Sequence, residues 1–120
     1  MTDETPILDD AIIAELRESV GGDDGFVAEL AAAYLAEGPD HVRAMEEAMA
    51  RGDVAGVVRP AHTLKSSSAA LGAMRVSVIS RAIEHAAREG RTEGLETAVA
   101  EARTAWEQTV AAMNERKLAG

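Results

Sequence analysis

The chain has no cysteine among its 120 residues. A disulfide framework and a thiolate metal site are therefore excluded, and the composition fits a reducing compartment. Long apolar runs are also missing, since no stretch approaches the roughly 20 residues that a membrane-spanning helix needs. Residues 1–6 are acidic rather than basic, and no apolar region of signal-peptide type follows them. We therefore expect a cytoplasmic protein without a membrane partner.

Aromatic and basic residues are scarce as well. The chain has one Phe, one Tyr and one Trp, and its 12 Lys and Arg residues face 21 Asp and Glu residues, for a net charge of −9. Binding to nucleic acid needs a concentrated basic patch, and stacking on bases needs aromatic side chains. The composition therefore argues against nucleic acid as a partner.

Several catalytic motifs are absent from the sequence. No glycine-rich phosphate loop or kinase motif occurs, so we expect no ATP site. The serines at 66–68 do not lie in a nucleophile elbow, which a serine hydrolase needs. The histidines and carboxylates do not follow an HExxH or Glu-x-x-His spacing, so we expect no metal and no cofactor on this chain.

The sequence is rich in alanine and in helical periodicity, and it lacks β-branched runs. Apolar residues recur at the i, i+3, i+4, i+7 spacing of amphipathic helices. We find no repeat, linker or change of composition along the chain. The prediction is one domain over residues 1–120, with its core at about 8–117 and loose termini.

The spacing predicts five helices, at about residues 9–19, 23–51, 53–72, 73–89 and 92–117. Four of them are long and closely connected, which predicts an all-α fold: an antiparallel up-and-down four-helix bundle, with the short N-terminal helix across one end. Pro39 should kink the second helix rather than break it. Pro60 leaves two alternatives, a bend in the third helix or a helix that starts near Arg59. The residues expected to face inward are Ile12, Ile13 and Leu16; Phe26, Leu30, Ala33, Tyr34, Val42, Met45 and Met49; Val76, Ile79, Ile83 and Ala86; and Leu95, Val99, Ala102, Trp106, Val110 and Met113.

The third helix carries the strongest functional candidate, His62. The apolar stripe of this helix centres on Ala61, Leu64 and Ser68, and helical geometry puts His62 roughly 120° away from it. The imidazole should therefore be accessible at the edge of the buried face. Arg59 and Lys65 lie one turn away on either side, and cations at this distance would stabilise a phosphoryl group on the histidine.

Small or apolar residues surround His62 on the same helix and leave room for another protein surface to approach. We predict a docking surface made of Ala55, Val58, Ser66 and Ala69. The other two histidines, His41 and His85, are expected at the periphery.

The stretch from His62 to Gly72 resembles the motif of the histidine-containing phosphotransfer (HPt) family, His-x-Leu-Lys-Gly-x-x-x-x-Leu-Gly. One position departs from it, because Ser66 stands where the family usually has glycine. The resemblance covers about residues 8–113. The matching residues are His62, Leu64, Lys65, Leu71 and Gly72.

The resemblance implies a role for each of these features. His62 would be the phosphoacceptor, Lys65 would stabilise the phosphoryl charge, and Arg59 would be an auxiliary cation. The partners would be receiver domains of a hybrid histidine kinase and of a response regulator, and the Mg²⁺ would belong to the receiver. The protein would then be a phosphocarrier in a two-component phosphorelay, and we expect it to be a monomer without enzyme activity of its own.

Two alternatives stay open. One is a helical bundle that binds a receiver domain or a kinase and regulates it without carrying phosphate, and Ser66 is the only hint toward it. The other is a histidine-kinase dimerisation or phosphatase role, but a kinase core would need an adjoining ATP-binding domain, for which this chain has no room.

Overall fold

The computed structural model describes residues 5–120, and all of the regular structure in that range is helical. The predicted loose N-terminus falls partly on residues 1–4, outside the described range. Among the described residues, every helix is too short or too polar to span a bilayer. The helices are α1 (Asp10–Ser19), α2 (Asp24–Ala50), a 3₁₀ turn (Ala55–Val57), α3 (Val58–Ala70), α4 (Met74–Arg88) and α5 (Leu95–Glu115).

Caps and glycines set where the helices begin and end. Asp9 caps α1 by accepting a hydrogen bond from the backbone N–H of Ala11, and Asp23 caps α2 by accepting one from Phe26. The last helix begins at Leu95, later than the predicted residue 92. Gly94 has φ +76°, a left-handed conformation that cannot belong to a helix, so α5 starts after it.

Helix α2 continues through Pro39, as predicted, without a break. The prediction of its inward face is wrong in the first half, where Phe26, Leu30 and Ala33 are exposed. Tyr34 is buried as predicted, and the other buried residues there are Val27, Ala31 and Gly38. The prediction followed the large apolar residues, whereas the buried face of α2 also includes the small residues Ala31 and Gly38.

Helix α3 begins at Val58, which confirms the second alternative for Pro60. A proline in the first turn lacks an N–H that would be unpaired there in any case. The residues before it form the 3₁₀ turn, where the Asp53 carboxylate accepts a hydrogen bond from the Gly56 N–H at 2.9 Å. Ala55 therefore lies outside the helix that carries His62, contrary to the prediction.

The core lies between α2, α3, α4 and α5, with α3 packed against α4, α4 against α5, and α2 against both α3 and α5. Trp106 is buried, as predicted, and meets Tyr34 edge to face with the ring centroids 5.0 Å apart. The Tyr34 hydroxyl and the Ser68 Oγ share a buried hydrogen bond of 2.6 Å. This bond fixes α3 against α2 six residues after His62.

Helix α1 lies at the end of the molecule where α3 turns into α4. The Asp9 N–H donates to the Gly72 carbonyl at 2.8 Å, and a side chain on Gly72 would press against the Asp9 backbone. At the same end, Arg116 pairs with Asp10. This placement agrees with the predicted helix across one end.

Replacement of Gly38 by alanine tests the contact between α2 and α5. A β-carbon there would overlap the indole ring of Trp106. We expect Gly38→Ala to lower the free energy of unfolding by about 1–3 kcal/mol because of overpacking, although alanine forms helices better than glycine by ~1 kcal/mol. Urea denaturation followed by circular dichroism measures the change.

The control is the same substitution in a Trp106→Leu background. Without the ring, Gly38→Ala should be neutral or stabilising, so the two substitutions should couple strongly. A Gly38→Ala protein that is more stable than the parent chain would contradict this account of the contact.

Candidate functional site

His62 lies on the solvent side of α3, beside α4. Ala61, Leu64 and Ser68 of the same helix are fully buried, as the periodicity predicted. The His62 side chain is 54% exposed. An imidazole in this position can reach a second protein without any rearrangement of the core.

One nitrogen of the ring is held by a buried carboxylate from α4. His62 Nδ1 lies 2.9 Å from Glu84 Oε2. The Glu84 side chain is only 9% exposed, because it lies where α4 packs against α3. Burial of a carboxylate is costly unless cations compensate it.

Two cations compensate Glu84. Lys65 Nζ of α3 lies 2.7 Å from Glu84 Oε1. Arg88, one turn further along α4, donates from Nη2 and Nε to Glu84 Oε2, at 2.8 and 3.0 Å. The Glu84 carboxylate thus joins Arg88 of α4 to His62 and Lys65 of α3. We call these four residues the Glu84 cluster.

The hydrogen bond from Lys65 is the main cause that lowers the pKa of Glu84 to about 2. Burial acts in the opposite direction, and the hydrogen bonds from Arg88 and His62 add to the lowering. Glu84 is therefore ionised at neutral pH and can only accept hydrogen bonds.

This charge state determines the tautomer that we assign to His62. Because Glu84 can only accept, Nδ1 must carry the hydrogen and donate it. In a neutral imidazole, the lone pair is then on Nε2. Within residues 5–120, Nε2 has no hydrogen-bond or ion-pair partner. The geometry therefore provides an oriented imidazole with one free nucleophilic nitrogen.

The backbone near Lys65 is also fixed from α4. The Ser77 hydroxyl donates to the Lys65 carbonyl at 3.0 Å. Arg59, the other predicted cation, is exposed and has no side-chain partner within the described residues. The structure thus brings Lys65 into the Glu84 cluster and leaves Arg59 outside it.

The predicted docking residues differ in exposure. Ser66 is exposed, whereas Val58 and Ala69 of the same helix are half-buried. Ala55 is exposed in the 3₁₀ turn. Of the remaining histidines, His41 is half-buried on α2. His85 is exposed on α4, 3.4 Å from Glu89, and lines a groove together with Lys65, Glu84 and Arg88 without bonding to them.

Sequence reasoning did not assign a role to Glu84 or Arg88. Helix α4 is rotated relative to the predicted stripe, so that Ser80, Glu84 and Ala87 are buried while Ile79 and Ala86 are half-buried. A glutamate next to Ile83, with an arginine four residues later, was the signal that could have identified the pair. No group of His, Cys, Asp or Glu that could hold a metal ion occurs within the described part of the chain.

Glu84→Gln tests the cluster by its effect on stability. The pKa of Glu84 is lowered from 4.5 to about 2 by folding. The carboxylate therefore stabilises the fold fully above pH 4.5, and this contribution disappears as the pH falls through the folded pKa. We expect Glu84→Gln to cost on the order of 1–2 kcal/mol at pH 7, a value reduced because Arg88 and His62 are partly solvated.

The measurement is urea denaturation of both proteins between pH 7 and pH 2. The stability difference should shrink as the pH is lowered below 4.5. Glu46→Gln is the matched control, because Glu46 pairs with Arg103 at 2.7 Å but is more exposed, and its loss should cost less. An equal loss of stability in Glu84→Gln and Glu46→Gln would contradict the role given to Glu84. So would a stability difference between Glu84→Gln and the parent chain that does not change with pH.

Comparison with known proteins identifies the family. A family model described as the Hpt domain matches residues 29–115. No curated protein sequence matches the chain. Among solved structures, the fold is similar to that of histidine-containing phosphotransfer protein B (HptB) from Pseudomonas aeruginosa PAO1, with a TM-score of 0.83 and 20% sequence identity over 94% of this chain and 96% of that chain. The family match includes α3 and α4 entirely, and the chain belongs to the Hpt domain family.

Proposed function

We propose that the protein relays a phosphoryl group between receiver-domain aspartates through His62, in a two-component phosphorelay. Hpt domains are phosphocarriers rather than ATP-binding kinases. The observation that carries the proposal is the exposed imidazole whose Nδ1 is held by a buried, ionised carboxylate. Family membership and this geometry support the same chemistry at the same residue.

In the proposed step, His62 Nε2 attacks the phosphorus of an aspartyl phosphate on the receiver. The N–P bond forms, the bond from phosphorus to the acyl oxygen breaks, and the aspartate leaves as a carboxylate. The ring gains positive charge during the attack. Glu84 accepts the hydrogen bond from Nδ1 and so stabilises that charge, as an aspartate does for the histidine of a catalytic triad.

Lys65 would act on the phosphoryl oxygens. An ammonium group has three N–H donors, and the contact with Glu84 occupies one side of it. The remaining donors are available to the negative charge that arrives with the phosphoryl group. Arg59, one turn before His62 on α3, is proposed as an auxiliary cation for the same charge.

The partners in this proposal are receiver domains of a hybrid histidine kinase and of a response regulator. Their Mg²⁺ would remain on the receiver, and this chain would contribute no metal or cofactor. Ala55, Val58, Ser66 and Ala69 would lie against the receiver. Ser66 is small and exposed, which supports close approach at the position where the family usually has glycine.

We also infer that the four long helices are antiparallel in up-and-down order. The short connections and the mutual packing of α2 to α5 support this arrangement. We further propose that the carrier acts as a monomer, which sedimentation can check.

The experiment for the proposed function is phosphoryl transfer from a panel of phosphorylated receiver domains of the source organism. The parent chain should acquire an acid-labile, base-stable label, and His62→Gln should acquire none. His41→Gln is the matched control, since it removes a histidine of α2 outside the Glu84 cluster, and it should be labelled like the parent chain.

Two other outcomes would contradict the proposed function of His62. A label that persists in His62→Gln would assign the phosphoacceptor to another residue. Binding to a receiver without any transfer, with unchanged binding by His62→Gln, would favour the regulator that does not carry phosphate.

Lys65→Gln tests the stabilisation of charge during transfer. We expect the rate at saturating receiver to fall by about 10–100-fold, somewhat less than for a fully buried donor, because Lys65 is partly solvated. Lys65→Arg keeps the charge and should retain more of the rate. Single-turnover kinetics separates this effect from binding. An unchanged rate for Lys65→Gln would show that Lys65 serves only to stabilise Glu84.

A further inference from the structure

Nearly every cation of this acidic chain has a partner. All 12 Lys and Arg residues lie within residues 5–120. Within that range, nine of them contact a carboxylate or another polar group of the protein. The side chains of Arg59, Arg81 and Lys117 alone have no hydrogen bond or ion pair among the described residues.

Two of these three cations lie beside the phosphoacceptor. Arg59 is one turn before His62 on α3. Arg81 is on α4, and it lines a groove of about 590 Å³ together with Lys65 and Glu84 of the cluster. Lys117 lies beyond the end of α5, next to Arg116, which contacts α1 at the far end of α3.

The absence of a partner for Arg81 has a local cause. The nearest carboxylate along α4 is Glu84, three residues later, where side chains of one helix face can meet. Glu84 instead turns into the contact between α3 and α4, where it binds His62, Lys65 and Arg88. The guanidinium of Arg81 keeps its N–H donors for an anion outside the chain.

Arg81 belongs to a continuous exposed face of α4. Val78, Arg81, Ala82 and His85 recur at the i, i+3, i+4, i+7 spacing, and all four are exposed. We call them the α4 outer stripe. Val78 is 42% exposed and is one of three exposed large hydrophobic residues of the described chain. The stripe thus presents an exposed apolar side chain, Val78, and a cation without a partner among the described residues, Arg81.

The stripe is continuous with the site at which transfer is proposed. A protein interface of ordinary size covers about 800 Å² of each partner, which corresponds to a radius of about 16 Å. Arg81 is only about 4.5 Å along the helix axis from Glu84, which contacts His62. Val78, Ala82 and His85 line the same groove as Lys65, Glu84 and Arg81, so the stripe borders the Glu84 cluster. A receiver that reaches Nε2 and extends over this groove would cover part of the α4 outer stripe.

We propose that the α4 outer stripe docks an acidic surface of the receiver domain that exchanges a phosphoryl group with His62. The inference rests on the proposed function and adds the chemistry of the partner surface. Arg81 would pair with a receiver carboxylate, and Val78 would pack against its apolar surroundings. Charges at the edge of an interface mainly steer association and select partners, so Arg81 would affect binding rather than the transfer step.

The test is the binding of purified receiver domains, with Mg²⁺ and beryllium fluoride as a mimic of the aspartyl phosphate, to the full chain by calorimetry. Arg81→Glu should raise the Kd about tenfold or more at low salt, and Arg81→Gln should raise it less. Both effects should shrink at high salt because of screening. Lys117→Glu is the matched control, since it makes the same charge change at another unpaired cation, and its Kd should stay within about twofold of the parent value.

Transfer kinetics with the same receivers provide the second measurement. At saturating receiver, Arg81→Glu should transfer within about twofold of the parent rate. A large loss at saturation would place Arg81 at the reacting atoms and overturn the docking role. Equal Kd values for Arg81→Glu and Lys117→Glu would also overturn it.

The two proposals can fail separately. If receivers bind but His62 is not labelled, the carrier function fails, and the effect of Arg81→Glu on the Kd still decides the docking proposal. If no receiver binds the parent chain, both proposals are overturned.

Discussion

The contact between Glu84 and the side chains of α3 is the interaction on which the site depends. A carboxylate that is 9% exposed would be costly alone, and it is stable here because Lys65, Arg88 and His62 surround it. Removal of Lys65 or Arg88 would leave the carboxylate charge less compensated in a poorly solvated position. The network therefore requires α3 and α4 to be packed in one relative rotation, and that rotation orients the imidazole.

The remainder of the core maintains this packing. Ser77 bonds the Lys65 carbonyl from α4, and Tyr34 bonds Ser68 from α2, so α3 is held on two sides. Gly38 lets Trp106 approach α2, which closes the opposite side of the core. An imidazole on a helix held on two sides loses little conformational entropy when a partner arrives, and this would favour the proposed transfer between proteins.

The charges are distributed unevenly in a manner that suits a carrier. The chain has a net charge of −9, yet Lys65, Arg88, Arg59 and Arg81 all lie around His62 or one turn from its partner Glu84. Two of these four cations neutralise the buried carboxylate, and the other two have no partner among the described residues. A local positive field within an acidic protein attracts an anionic donor to one place and repels it elsewhere.

The sequence by itself determined the all-helical structure, the position and exposure of His62, and the family, because these depend on periodicity and on a motif of adjacent residues. Only the tertiary structure decided that Glu84 and Arg88 belong to the site, since Glu84 lies 22 residues from His62 and the rotation of α4 brings them together. Rotation also explains the wrong inward face in α2, where Gly38 and Ala31 lie on the buried stripe. Periodicity identifies a stripe by its large apolar residues, whereas helix rotation is set by small residues and by contacts between distant parts of the chain.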